Sequence, residues 1–372
     1  MSDSATYDVA IIGGGIAGAG AGAMLADKCR CVILESEEQP GYHSTGRSAA
    51  TFILNYGNAP IRALTRASES FFIAPPRHIS EHSLLSPRGH LALAEEGGRA
   101  HLDAHLQESQ GLEEVSSESA VAKVPILRRE PILAAAYEAD ARDIDVNSLH
   151  QGWLRQFKRA GGEIRTKAQV TQLAQKGGLW ELETPDGTLC AKTVINAAGA
   201  WADKVAGLAG LTPVGLTPMR RSIAVIPAPA GHDVMTWPLV SDVQERWYMK
   251  PDAGQLFVSP ADEDPVEPHD VFADDMVLAE GLHRFETATS VEVTRVLRSW
   301  AGLRTFAPDR TPVVGFDPSA ENFFWLAGQG GYGIQTSPAI SQVAAALITK
   351  QPTAEIVSDE TIVALSPARF RN

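Results

Sequence analysis

Gly13-Gly14-Gly15-Ile16-Ala17-Gly18 follows an apolar run, Tyr7 to Ile12, and opens a small-residue stretch that reads as a helix to Asp27. In a G-x-G-x-x-G, the first glycine (Gly13) permits a tight turn. Gly15 lets the backbone approach a pyrophosphate, and Gly18 lets the helix pack closely on the strand. The helix N-terminus at Ile16 and Ala17 favours the anion. Glycines alone often mark only a turn. Here a second apolar run, Cys31 to Leu34, ends in Glu35 with Ser36 beside it. That is the distance at which an acid accepts from ribose hydroxyls. The pattern predicts a dinucleotide held by a strand–turn–helix–strand unit with parallel pairing and a right-handed crossover.

The polar, small-residue run Gly41-Tyr42-His43-Ser44-Thr45-Gly46-Arg47-Ser48-Ala49-Ala50 follows Glu35 directly. With it, the stretches Leu84 to Arg88, Asn196 to Trp201, Lys250 to Gly254, Trp300 to Arg304 and Gln329 to Thr336 resemble the D-amino-acid oxidase superfamily of FAD enzymes, which includes sarcosine and glycine oxidases. Within it the likeness is greatest to the bacterial D-arginine dehydrogenases, and it spans nearly the whole chain. The resemblance implies non-covalent FAD as the cofactor. It implies that Ser44, Thr45, Arg47, Ser48, Ala49 and Ala50 contact it, and that Val170 holds the adenine through its backbone. It further implies that Ala198, Gly199 and Trp201 close over the cofactor. The turn Gly330-Gly331-Tyr332-Gly333-Ile334-Gln335 would let the backbone approach the flavin ring. The helix that follows would point its positive end at the ring.

A flavin that oxidises an amino acid must hold an α-carboxylate, and the planar fork of arginine grips both oxygens. The resemblance gives this role to Arg221 and Arg304. Taken alone, either would more often be a surface ion-pair residue, and Arg220 is the rival for Arg221. The resemblance places Tyr56 and Tyr248 over the substrate, with Gly331 beside it. Thr51 and His90 depart from the D-arginine pattern, standing where it has a histidine and a glutamate. Losing that carboxylate removes an ionic partner for a basic side chain, so neutral D-amino acids are the expected substrates. The expected products are a 2-oxo acid and ammonia, with oxygen or a quinone as electron acceptor. The rivals are a secondary-amine oxidase or dehydrogenase (sarcosine, glycine, N-alkyl amino acids) and a 2-hydroxy-acid dehydrogenase.

The same residues predict the elements that must position them. Dinucleotide-type strands occur early, at Thr193 to Asn196 and at Phe323 to Ala327. Alternating segments such as Ser222 to Ile226 and Trp247 to Lys250 lie between. Pro185-Asp186-Gly187-Thr188 is a hairpin turn. A helix is expected over Leu149 to Ala160, and strands over Gln169 to Leu173 and Trp180 to Thr184. The predicted fold is α/β with α+β character: a Rossmann-like FAD-binding domain (1–85, 145–215 and 300–372) with an inserted antiparallel-sheet substrate domain (86–144 and 216–299).

Length and composition set the outer bounds. A chain of 372 residues exceeds what one core usually serves. Hydrophobic residues at 44% and charged residues at 21% exclude long disorder. A net charge of −13 argues against a nucleic-acid surface. Val9 to Ala26 is apolar, but Asp8 precedes it and it contains six glycines, so it does not read as a targeting segment. The expected location is the cytoplasm, with peripheral contact to the inner membrane left open. Cys29 and Cys31 are expected to point the same way on a strand, a poor disulfide geometry, and reduced thiols are the simplest reading. His78-Ile79-Ser80-Glu81-His82 matches H-x-x-E-H, but Pro75-Pro76 precede it and no amphipathic helix surrounds it, so no metal is expected.

Overall fold

The computed structural model describes residues 5–371 and contains three sheets. Thr6–Ile12 lies inside the first. It pairs in parallel with Cys31–Leu34 on one side and Gly187–Asn196 on the other. Cys31–Leu34 pairs with Glu163–Arg165, and the last residues of Gly187–Asn196 pair with Phe323–Ala327. The hairpin Gln172–Lys176 and Leu179–Thr184 extends the first half of Gly187–Asn196. Apolar side chains fill both faces of the parallel part, which is why its strands read as unbroken hydrophobic runs.

Helices Ile16–Leu25, Val146–Arg159 and Gly333–Ile348 pack on one face of this sheet. Glycine makes the packing close: a Cβ at Gly20 would sit 2.2 Å from Ser341 Oγ and 2.9 Å from the Trp153 ring. Asp145 caps Val146–Arg159 by accepting from Ser148 N, and Leu149, Trp153 and Phe157 form its buried stripe. Pro338 lies inside Gly333–Ile348. Its missing N–H would leave Ile334 O without a partner, and Ser337 Oγ donates to that carbonyl instead at 2.6 Å.

The second sheet has nine strands. Thr217–Pro227 pairs with Arg298–Phe306 on one flank. On the other lie the short Asp264–Pro265, and beyond it along the same edge Gln255–Ser259, followed by Tyr248–Asp252, Leu239–Asp242, His90–Ala94, Ala134–Glu138 and Glu113–Val115 in turn. The expected antiparallel arrangement has one exception, the parallel pairing of Leu239–Asp242 with His90–Ala94. The sequence division placed residues 300–372 with the cofactor unit. All nine residues of Arg298–Phe306 nevertheless pair antiparallel with Thr217–Pro227, so this strand belongs to the second sheet. A small third sheet, Thr51–Phe52, Arg142–Ile144 and Leu85–Pro87, joins segments that the division had separated at residues 85 and 145.

Register decides what the second sheet presents. Met219 faces Arg304, Arg221 faces Gly302, Ile223 faces Trp300, and Tyr248 faces both Ser259 and Ser241. Directly opposed residues share a face. One face of the sheet therefore carries Arg221, Ile223, Tyr248 and Arg304 together.

Candidate active site

That face and the carboxyl ends of the parallel strands enclose a cavity of about 650 Å3. Its nucleotide end is lined by Gly13, Gly15, Ile16, Ala17, Glu35, Ser36 and Val170. Gly13 has φ +104°, and a Cβ there would lie 2.5 Å from Ala197 O. Gly18 is not in the lining. A Cβ at Gly18 would lie 1.9 Å from Gly13 O, so glycine there lets the helix touch the turn. Glu35 is buried; its Oε2 accepts from Gly14 N at 2.9 Å and its Oε1 from Glu37 N at 3.0 Å. These bonds hold the acid beside the turn, where a ribose would meet it.

The middle of the cavity is lined by Ser44, Thr45, Arg47, Ser48 and Ala49 facing Ala198, Gly199 and Trp201. Thr45 Oγ1 accepts from Ile16 N at 3.0 Å, and Ser44 Oγ donates to Leu303 O at 2.7 Å. The Arg47 guanidinium is engaged elsewhere. It donates to Val271 O and Ala301 O, both at 3.1 Å, and pairs with Asp270. Ala50 falls outside the lining; its φ of +52° is the left-handed region, and its N–H donates to Ser48 Oγ at 3.0 Å.

The far end is lined by Arg221, Ile223, Tyr248, Arg304, Gly330, Gly331, Gly333 and Ile334. Arg304 Nη1 donates to Tyr56 Oη at 3.1 Å, and the Tyr56 ring meets Tyr332 edge-on at 4.8 Å. A Cβ at Gly331 would lie 2.9 Å from Arg304 Cζ, so only glycine leaves the guanidinium its place. Tyr56, Tyr332 and Gln335 lie behind the lining. The Gln335 amide accepts from Ile53 N at 3.2 Å and donates to Thr65 Oγ1 at 2.9 Å. The Tyr248 hydroxyl is buried without a partner, an orphan that a bound ligand would satisfy. The first turn of Gly333–Ile348 points its free N–H groups at this end.

The two arginines differ. Arg221 Nε donates to Asp262 O at 2.8 Å, and its Nη2 pairs with Glu263 Oε1 at 3.0 Å. Arg304 makes no ion pair among the described residues. Arg220 pairs with Asp264 at 2.6 Å and does not reach the cavity. Thr51 and His90 are not brought to the lining either. Thr51 is paired with Asp143 in the small sheet, its hydroxyl buried and unpartnered. His90 Nε2 lies 2.7 Å from Ser241 Oγ, behind Tyr248. Burial, with a further push from His105, drives its pKa down to about 3, so its ring is neutral.

Glu37 and His43 in the lining, and Lys250 behind it, were given no role from the sequence. Glu37 and His43 pair at 2.9 Å, and His43 lies against Trp201. Lys250, buried on the same strand as Tyr248, donates to Ala49 O at 2.7 Å and lies 3.0 Å from Asp143 Oδ1. The matching stretch Lys250 to Gly254 contained it without giving it a role. The H-x-x-E-H residues lie outside any helix, and the His78 ring bonds Gln156 Oε1 at 3.1 Å.

The shape suits FAD: a glycine turn and acid at one end, an open slot in the middle, and a cation, an unpartnered hydroxyl and a helix N-terminus at the other. FAD-dependent oxidoreductase domain-containing protein 1 of Bos taurus is 24% identical over 92% of this chain and 81% of its own length. The glycine oxidase of Geobacillus kaustophilus is 25% identical over 94% of each chain. Its crystal structure superposes with a TM-score of 0.86, at 22% identity, over 98% of this chain and 99% of that one. The crystal structure of L-proline dehydrogenase from P. horikoshii gives 0.83, at 20% identity, over 99% and 98%. The family model described as "DAO: FAD dependent oxidoreductase" matches residues 8–347. The chain belongs to this family and is an FAD-dependent oxidoreductase.

Proposed function

We propose that this enzyme oxidises D-amino acids with neutral side chains to 2-oxo acids and ammonia. The observation that carries the reading is Arg304, a cation at the flavin end of the cavity with no carboxylate partner of its own. An arginine fork in such a place suits a substrate carboxylate. Arg221 adds a second, partly committed cation on the same sheet face.

FAD, when bound, supplies the hydride acceptor, N5 of its ring. The chain's residues orient the substrate towards it. Arg304 and Arg221 bind the carboxylate and Tyr56 holds the Arg304 fork in place. The Tyr248 hydroxyl takes a substrate oxygen or amine as its missing partner. With the carboxylate fixed, Cα–H is aimed at the ring, and positioning rather than a side-chain base supplies the catalysis. Held this way, the substrate amine would lose a proton to water as Cα gives up its hydride, and the imino acid would hydrolyse after release; oxygen or a quinone would serve as the external electron acceptor.

Preference for a neutral side chain is supported through His90, which stands where the D-arginine pattern has a glutamate; it lies outside the cavity lining and shares a sheet face with Tyr248, Ser241 and Glu138. His90 is neutral, and burial raises the Glu138 pKa and so favours its uncharged form. His90 offers no negative charge to a basic tail.

A secondary-amine or glycine reading is favoured by the names of the two superposed relatives, a glycine oxidase and an L-proline dehydrogenase. Anaerobic mixing with D-alanine, D-methionine, D-phenylalanine, D-arginine, glycine, sarcosine and L-proline separates the readings. The expected result is bleaching of the flavin band fastest with the neutral D-amino acids. Bleaching by sarcosine or L-proline alone overturns the D-amino-acid reading, and faster bleaching by D-arginine overturns the preference. Admitting air then shows whether oxygen serves as acceptor.

A further inference from the structure

Cys29 and Cys31 stand apart from the cavity. Their expected parallel orientation required both to be strand residues. The strand begins at Cys31, whereas Cys29 sits in the turn after helix Ile16–Leu25, its N–H bonded to Leu25 O at 3.1 Å. The chain bends there, and the two sulfurs lie 3.5 Å apart, in van der Waals contact. The environments differ: Cys31 is 1% exposed and locked in the sheet, while Cys29 is half-buried. Cys31 Sγ lies 3.4 Å from Cys29 O and 3.5 Å from Cys29 Sγ, so its single S–H can turn to either.

We propose that Cys29 and Cys31 are an oxidisable dithiol that closes to an intrachain disulfide when a hydroperoxide reaches Cys29. The hydrogen bond with Cys31 is the main influence lowering the Cys29 pKa, which favours its thiolate. That bond, with burial, raises the pKa of Cys31. The accessible sulfur is thus the better nucleophile, and the buried one its resolving partner. The Cys29 thiolate attacks the peroxide, breaking the O–O bond; the peroxide is reduced to hydroxide or alcohol, and Cys29 becomes a sulfenic acid. Cys31 then attacks the sulfenic sulfur, the S–S bond forms, and water leaves carrying the Cys31 proton. Two electrons pass from the two thiols to the peroxide. Closure needs the sulfurs to approach to about 2 Å. Rotation of Cys29, a turn residue, supplies this without moving the sheet. The inference does not depend on which substrate the flavin oxidises.

The test is mass spectrometry of the holoenzyme treated with one equivalent of hydrogen peroxide, then alkylated under denaturing conditions. The expected intact protein carries one alkyl group, on Cys190, and is about 2 Da lighter at the pair. Cleavage after Lys28 and Arg30 then yields the dipeptide Cys29-Arg30 disulfide-linked to the peptide that begins at Cys31. In Cys31→Ser, the Cys29 sulfenic acid persists and is trapped by dimedone. The proposal is overturned if Cys31 remains alkylatable while Cys29 is oxidised to sulfinate, or if Cys190 is oxidised as fast as the pair.

Discussion

Arg304 holds its charge against Tyr56 Oη at 3.1 Å and beside a glycine that has no side chain to crowd it. A charged hydrogen bond of this kind contributes about 1.5–3 kcal/mol. Arg304→Lys keeps the charge but loses the fork. We expect kcat/KM for the best amino acid to fall by roughly ten- to a hundredfold, with the flavin spectrum unchanged. An unaltered kcat/KM would remove Arg304 from the clamp. Gly331→Val places carbon where the guanidinium sits, 2.9 Å from Cζ even for the first atom. KM should rise while FAD stays bound, and loss of FAD instead would mean that Gly331 serves the cofactor rather than the clamp. The place of both residues in the cavity lining was legible because each sits in a short stretch with a family likeness. The partners of Arg221 and Lys250 were not legible. Arg221 answers to Glu263, 42 positions away, and Lys250 to Ala49, 201 positions away, and no local spacing announces either partner.

The glycine-turn helix shows an element fixed by what it must approach. Gly18→Ala puts a Cβ 1.9 Å from Gly13 O, a backbone atom that cannot rotate away. The helix must lift or the turn must open, at a cost of about 1–3 kcal/mol. The expected outcome is a lower melting temperature in the FAD-free protein and weaker FAD binding by fluorescence titration. Unchanged values for both would show that the turn yields without strain. Two strands buried on both faces, Cys31–Leu34 and Phe323–Ala327, were read from the sequence at their true bounds, whereas Thr193 to Asn196 proved to be the end of the longer Gly187–Asn196. Gln169–Leu173 was read as a strand, but pairing starts only at Gln172, because Gln169 and Val170 line the cavity instead. Arg298–Phe306 could not be allotted from the sequence, since Thr217–Pro227, its partner, lies far back along the chain. The nine-stranded sheet is assembled from three such separated segments, and its parallel junction between Leu239–Asp242 and His90–Ala94 has no local signature.

At the scale of the whole molecule, buried and partly buried histidines couple the fold to pH. Burial lowers the pKa of His90, His105 and His150; the effect is largest at His90, which titrates near 3. In the unfolded chain histidine titrates near 6.5. As pH falls below that value the unfolded state takes up a proton that the folded state refuses, so stability drops with acidification. For His90 alone the loss between pH 7 and pH 5 is about 2 kcal/mol. Glu138 acts in the opposite sense. Burial raises its pKa, so its contribution is present below the unfolded carboxyl value and is lost as pH rises through the raised one. Acidification therefore recovers part of what the histidines lose. Comparing the parent with His90→Gln cancels Glu138 and the background charge of −13. The glutamine amide reaches the place of His90 Nε2, which lies 2.7 Å from Ser241 Oγ. Urea midpoints measured at pH 7 and pH 5 should move closer together in the variant, by an amount equivalent to about 1–2 kcal/mol. Identical shifts in the two proteins would mean that His90 titrates in the folded state near its unfolded value, so that the strip behind Tyr248 gains a positive charge as pH falls from 7 to 5. Below about pH 6.5 repulsion of basic substrates would then add to the absence of a partner for them, and D-arginine would bind better as pH rises.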